Sequence, residues 1–236
     1  VKCWGWNVHF NLGLGHDDPG PYTTPQTTGT VGSPLEDAKQ ISAGLQSSCV
    51  TRADDTVSCW GFYRSWQGPW LGGPVLSGKP IVDVPGVSDV TSVTAGHAFQ
   101  CAASRDGTAR CWGINQSGQL GRGDTVHSGT PEPVANLAGV KAIAGGLEHA
   151  CARTATDIYC WGRNWAGALG DGCRWLAGRP VALQGRGGGA KLRALGLPGR
   201  VGGFPRKISE LNRKSHSDAR CQAKAEERCP DASGRC

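Results

Sequence analysis

The tripeptide Cys-Trp-Gly stands at Cys3, Cys59, Cys111 and Cys160, at intervals of 56, 52 and 49 residues. It is followed by "INQSGQLGRGD" after Gly113, by "RNWAGALGDGC" after Gly162 and by "WNVHFNLGLGH" after Gly5; after Gly61 the phrase has drifted and lengthened to "FYRSWQGPWLGG". A second phrase precedes each later copy: "AKQISAGLQSSC", "VTSVTAGHAFQC" and "VKAIAGGLEHAC", in which Gly44, Gly96 and Gly146 stand five residues before a cysteine. One unit has been copied several times. Copies of one unit fold by stacking, because none can bury its apolar face alone.

Within the unit the pattern is strand-like. "VTSVTAG" and "CAASRDGTARCWG" are short β-prone runs bounded by Gly, Asp and Ser, and no helical stripe is sustained. Glycine supports this, with 37 of 236 residues, about twice its usual share of roughly 7%. A unit of roughly 50 residues with several turn signals has the size of a four-stranded propeller blade.

The spacing also predicts a register. If Arg105, Asp106 and Gly107 make a three-residue hairpin loop with Gly107 left-handed, Cys101 falls opposite Cys111. The same count sets Cys49 opposite Cys59 around Ala53, Asp54 and Asp55, whereas Cys151 and Cys160 are one residue closer and need a loop of another length, four residues. Opposed strand residues lie about 4.5 to 5.5 Å apart at Cα, within disulfide range. Three bridges inside blades are therefore expected, Cys49 with Cys59, Cys101 with Cys111 and Cys151 with Cys160, the alternative being reduced cysteines packed as small apolar groups. Cys3 occupies the second place of such a pair, so its partner is expected upstream. Val1 opens in the middle of the phrase and the chain contains no methionine, so the start of translation is expected there too.

These residues resemble the RCC1 (regulator of chromosome condensation) repeat family, whose units share "G-x-N-x-x-G-Q-L-G-x-G" and "AG-x-x-H-x-x-A". "GINQSGQLGRG" at Gly113 to Gly123 and "GGLEHACA" at Gly145 to Ala152 match closely, and the cysteine-bearing form is similar to versions in exported bacterial proteins. The resemblance covers residues 1 to 184. It implies a closed, usually seven-bladed β-propeller acting as a platform for other proteins, with uses that include nucleotide exchange on a small GTPase with chromatin binding, ultraviolet sensing and inhibition of a secreted β-lactamase. None of these uses transfers residue by residue: the histidine of the second phrase survives only at His149, with Phe99 and Ser47 in the equivalent places. The tryptophans at 4, 60, 112 and 161 belong to a different motif from those of the ultraviolet sensors and are expected to fill gaps between blades.

The expected fold is all-β, a partial RCC1-like β-propeller of about 3.5 blades of four-stranded antiparallel sheet with a disordered C-terminal tail. Residues 1–184 form the blades, with the repeat phrases at 3–58, 59–110, 111–159 and 160–184. Gly118, Gly121 and Gly123 are expected to turn the chain, Leu120 and Leu169 to anchor it between blades, and Asn115 and Asn164 to hold turn backbone.

Residues 185–236 differ in kind. They hold 12 Lys and Arg against 5 Asp and Glu, a surplus of 7 positive charges, while residues 1–184 hold 13 against 14. The segment is rich in Gly and Arg, and is read as either a disordered basic tail, which would touch nucleic acid or an anionic surface by counterion release, or sequence out of frame.

No G-x-S-x-G, H-E-x-x-H, Walker or EF-hand pattern is present. "GRGGGA" at Gly185 lacks a βαβ context, and Cys221, Cys229 and Cys236 lack zinc-module spacing. No cofactor, metal or catalytic residue is assigned. The residues singled out for binding are Tyr63, Arg64, Trp66 and Trp70, hot-spot types in a loop that departs from the repeat. The expected function is a non-catalytic protein-interaction scaffold with an unknown protein partner, capable of self-association through exposed blade edges. The alternatives are a nucleotide-exchange factor by family analogy, a hydrolase or lyase working in the propeller channel, or a binder through the basic tail. Paired cysteines point to an extracellular or cell-envelope location.

Overall fold

The computed structural model describes residues 1–8, 10–16, 18–30, 33–61, 81–171 and 177–183. The loop bearing Tyr63, Arg64, Trp66 and Trp70, together with Cys173 and the whole tail from 185, lies outside these residues. Every regular element among the described residues is a strand: β1 (Lys2–Gly5), β2 (Tyr22–Thr27), β3 (Gly29–Thr30), β4 (Ser33–Pro34), β5 (Ala38–Ala43), β6 (Ser47–Arg52), β7 (Val57–Gly61), β8 (Val82–Asp83), β9 (Val90–Ala95), β10 (Phe99–Ser104), β11 (Ala109–Gly113), β12 (Ser128–Pro133), β13 (Ala142–Gly145), β14 (His149–Arg153), β15 (Ile158–Gly162) and β16 (Ala177–Ala182).

Consecutive strands pair antiparallel into three four-stranded sheets, β5 to β8, β9 to β12 and β13 to β16, preceded by the two-stranded sheets β1–β2 and β3–β4. β1 carries the first Cys-Trp-Gly, so β1–β2 corresponds to the outer half of a blade. The architecture is a propeller segment of three whole blades and that half.

Two consequences of strand periodicity hold the blades together. Adjacent side chains of a strand point to opposite faces, so the Cys and Trp of Cys-Trp-Gly enter different layers. Trp60 is buried with Leu35 and Val50 against the β1–β2 half-blade, while Cys59 is buried with Val90 and Val93 against the following blade. The next junction repeats the arrangement, with Cys101 and Cys111 meeting Trp161 of the third blade in one cluster. Cys101 lies opposite Cys111, Cys49 opposite Cys59 and Cys151 opposite Cys160. Each pair is bonded, with a Cα separation of 4.1 Å.

The hairpins between these strands differ by one residue in length. Ser104 N–H donates to Thr108 C=O, with Gly107 at φ 86°; in the first blade Arg52 N–H donates to Thr56 C=O, with Asp55 at φ 63°. In the third blade Thr154 N–H donates to Asp157 C=O at 2.9 Å, so this hairpin encloses two residues, Ala155 and Thr156, where the other two enclose three. It is one residue shorter, not the four residues expected from the spacing.

The inner strands β5, β9 and β13 pack side by side near the axis, each with one edge unpaired within its own sheet. Side chains of the preceding blade satisfy the outward N–H groups. Val93 and Ala95 N–H donate to Gln40 Oε1 and Ser42 Oγ at 3.2 and 3.0 Å, and Ile143 and Gly145 N–H donate to Ser92 Oγ and Thr94 Oγ1 at 3.2 and 2.7 Å. Unsatisfied N–H groups at these partly buried edges would cost free energy and invite stray pairing.

Candidate interaction surface

Strand direction gives the segment two ends. At one end lie the turns from the first to the second strand of each blade and the long loops from the third to the fourth, here the loop face. At the other lie the second-to-third hairpins and the blade-to-blade connections, here the hairpin face.

The long loops share a buried skeleton. Asn7, Asn115 and Asn164 have no exposed surface, and their Oδ1 atoms accept from Leu12, Leu120 and Leu169 N–H at 3.1, 2.9 and 3.0 Å. Asn115 Nδ2 also donates to Asp124 and Val126 C=O at 2.9 and 3.1 Å, and Asn7 Nδ2 to His16 and Asp18 C=O. Two successive turns follow, closed by Gly118 N–H to Asn115 C=O and Gly121 N–H to Gly118 C=O. The second turn starts from a left-handed residue, Gly118 or Gly167 at φ 71°; in the first copy Phe10 takes that place at φ 58°, which strains an L side chain. The preceding blade's loop in turn receives the indole of the next: Trp60 Nε1 donates to Asn11 C=O at 2.9 Å and Trp161 Nε1 to Gln119 C=O at 2.8 Å. Trp112 is 7% exposed, whereas Trp4, with no earlier blade beside it among the described residues, is 64% exposed.

Over that skeleton the outward positions change freely. The place after the Asn is Val8, Gln116 and Trp165, and the place before it is Trp6, Ile114 and Arg163. Among the described residues, six of the eight large apolar side chains with high exposure lie on the loop face, namely Trp6, Val8, Leu45, Val126, Leu147 and Trp165, at 47% to 66%. The other two, Trp4 and Ile41, are in strands.

The turns of neighbouring blades touch. His97 N–H donates to Leu147 C=O at 3.0 Å, and a Cβ at Gly44 would come within 2.2 Å of Gly96 C=O. Glu148 ties this inner ring to the outer loops: its Oε2 accepts from Ser117 Oγ at 3.1 Å and from the Arg163 guanidinium, which stacks over the Trp165 ring. His127 and His149 also lie at this end. His127 Nδ1 accepts from Asn115 N–H at 2.8 Å, and burial holds the imidazoles of His127 and His149 below the usual histidine pKa.

The hairpin face is charged instead. Asp55 joins two blades by pairing with Lys39 at 2.6 Å and Arg105 at 2.9 Å. Hydrogen bonds from Lys39 hold the Asp55 carboxyl below the usual range, and bonds from Thr56 and Thr108 do the same for Asp54 and Asp106. A depression of about 470 Å³ there is lined by Asp89, Arg105, Asp106 and Arg110 among others.

The six bonded cysteines lie in strands between the two faces and contribute to neither surface. The Glu148, Arg163 and Trp165 cluster and the edge-capping side chains were not anticipated. A signal for the caps exists in the sequence, since Gln40 and Ser92 precede their blade's glycine by four residues and Ser42 and Thr94 by two. Among the described residues no three His, Cys, Asp or Glu side chains stand together as a metal site, and no helix is long and apolar enough to cross a membrane.

Family models described as "Regulator of chromosome condensation (RCC1) repeat" match residues 106–153 and 90–119. The chain is similar to the human "Probable E3 ubiquitin-protein ligase HERC6", 31% identical over 160 residues, 66% of this chain and 15% of that protein. It is also similar to the "Ultraviolet-B receptor UVR8" of Arabidopsis thaliana, 35% identical over 83 residues, 34% of this chain and 19% of the receptor. Among solved structures, human WBSCR16 superposes with a TM-score of 0.66 at 22% identity over 78% of this chain and 48% of its own. Yeast RCC1 (Prp20), crystallised bound to Kap60, gives 0.63 at 22% over 80% and 46%. The chain thus spans less than half of these solved chains and under a fifth of these curated relatives.

Proposed function

Because the chain belongs to the RCC1 repeat family, we propose that it is a non-catalytic protein-interaction scaffold whose contact surface is the loop face. The family likeness supports a regulator that works by binding proteins. The observation that carries the finer reading is the division of labour inside the long loops. The positions that repeat are buried and hold backbone, while the positions that vary are exposed and include Val8 and Trp165. A scaffold that presents interchangeable side chains on a constant frame has this pattern.

Photo-crosslinking residues placed at Val126 and Leu147, and for comparison at Lys141 and Thr156 on the hairpin face, test the reading in the cell that makes the protein. Discrete protein adducts from the loop-face positions alone are expected. Equal adducts from both faces would end the assignment, and nucleotide release from a small GTPase on adding the chain would replace it by exchange.

The three bridges favour an oxidising compartment, and we place the working protein outside the cytosol. Alkylation of the protein taken directly from cells should leave Cys49, Cys59, Cys101, Cys111, Cys151 and Cys160 unmodified until a reductant is added; labelling before reduction would contradict this location.

A further inference from the structure

We propose that Trp165, braced by Arg163 and Glu148, is the anchor by which the loop face docks an apolar, uncharged segment of a partner protein. This rests on the scaffold reading and adds to it a position and a partner chemistry.

Three loops from two blades converge on the brace. Ser117 comes from the long loop of the second blade, Glu148 from the inner turn of the third, and Arg163 and Trp165 from the third blade's own long loop. Ser117 Oγ and the Arg163 guanidinium both bond Glu148 Oε2, Arg163 N–H donates to Glu148 C=O at 2.8 Å, and the guanidinium stacks over the indole. The ring is therefore held in one orientation while 66% of Trp165 remains exposed. Ordering an exposed aromatic before binding lowers the entropic cost of the encounter, and Trp and Arg are the side chains enriched in binding hot spots.

The brace is no part of what the loop needs in order to fold. The other long loops make the same Asn turn with Ile114 and Gln116, or Trp6 and Val8, at the positions of Arg163 and Trp165. Leu147, adjacent to Glu148 and joined through its carbonyl to the His97 turn, extends the apolar surface toward Leu45.

Charge selects the partner's chemistry. Arg163 is neutralised by Glu148, and Arg122 by Asp124 at 2.9 Å, so these two arginines, the ones among the described residues of the two loops, offer no free positive charge to a phosphate or an acidic peptide. An anionic membrane is drawn by clustered unpaired Lys and Arg, which this cluster does not provide. What remains is a neutral, aromatic and aliphatic surface suited to an apolar polypeptide segment.

The test is selection of a phage-displayed library of random linear peptides on the immobilised full chain, followed by titration of the enriched peptides against variants. Trp165 is exposed, so W165S should keep the fold, checked by circular dichroism and by mapping of the three bridges. The expected peptides are rich in Leu, Ile, Phe and Trp and bind equally well between about 0.1 and 1 M salt. W165S should weaken them about tenfold and E148Q about threefold, while R153Q on the hairpin face should change nothing. Saturable peptides indifferent to W165S would overturn the anchor and leave the scaffold reading standing. So would charged, salt-sensitive peptides, W165S-dependent partition onto phosphatidylcholine and phosphatidylserine vesicles, or a dimer of the chain that W165S converts to monomer. Absence of any saturable peptide would remove both readings.

Discussion

The two ends of the propeller segment solve the same problem, reversing the chain between strands, with different chemistry. On the hairpin face the turns are short, held by exposed aspartates such as Asp54 and Asp106 that accept from Thr56 and Thr108. On the loop face the reversals are held from inside by fully buried asparagines. An internal frame leaves the outer side chains free of structural duty, which is why the bulky apolar groups outside the strands collect there. The hairpin face spends its polar side chains on its own turns and on the bridge from Lys39 through Asp55 to Arg105.

The largest expected effect comes from Gly44→Ala. Its Cβ would meet the backbone oxygen of Gly96 at 2.2 Å, and backbone on both sides leaves little room to yield. A loss of about 3 kcal/mol in urea unfolding is expected; a change below measurement error would mean that the inner turns of the loop face are not in contact. Removing one clamp between the faces, Cys101→Ala with Cys111→Ala, should cost about 2 to 3 kcal/mol by the same assay. An unchanged midpoint would imply that blade packing alone holds the hairpin.

Asn115→Ala tests the internal frame. It leaves the buried Leu120 N–H without its acceptor and the Asp124 carbonyl without its donor, while Val126 C=O keeps Arg122, and a loss of about 2 kcal/mol follows. Asp106→Ala on the opposite face should lower the melting temperature far less, because water can replace an exposed carboxylate. Equal losses would erase the distinction between the two ends.

Acid should separate the faces in order. His127 and His149 are held neutral by burial, so the unfolded chain binds protons first and stability falls as pH drops below the unfolded histidine value of about 6.5. Protonation of His127 Nδ1 also removes the acceptor for Asn115 N–H. The carboxyls of Asp54, Asp55 and Asp106 are depressed, so what they contribute is present above the unfolded value of about 3.9 and lost only as pH falls through the lower folded values. Amide exchange at Asn115 should therefore accelerate near pH 6 while Thr108 stays protected to below pH 4, by the same reference values. Loss of both together would contradict the comparison.

The smallest effect concerns the first loop. Phe10→Gly relieves a left-handed side chain where the other copies carry glycine, and should stabilise by about 0.5 to 1 kcal/mol in thermal unfolding. A destabilised variant would mean that packing of the Phe10 ring outweighs the strain.

Much of this frame was legible because it repeats. Spacing alone brought Cys101 opposite Cys111, and the glycine-punctuated phrase pointed to buried Asn115 and Leu120. The interaction surface was harder to read for the same reason. Its side chains sit where copies disagree, as Val8, Gln116 and Trp165 do, and disagreement in sequence carries no direction in space. The loop with Tyr63, Arg64, Trp66 and Trp70 departs from the repeat in the same way and lies outside the described residues, whereas Glu148 and Arg163 stand in phrases that otherwise follow the repeat and carry no local mark of a site.

By itself the sequence determined the strand pairs, the cysteine register and the all-β repeat architecture, because these depend on local periodicity and on separations of about ten residues. Tertiary structure decided where one blade ends. The unit written from one Cys-Trp-Gly to the next straddles two sheets, starting within the third strand of one and finishing at the start of the third strand of the next. Only packing decided that Cys59 faces forward and Trp60 back, that Gln40 caps Val93, and that six apolar side chains share one face. Each is a contact between units some fifty residues apart, and such contacts exist only once the blades have stacked around a common axis.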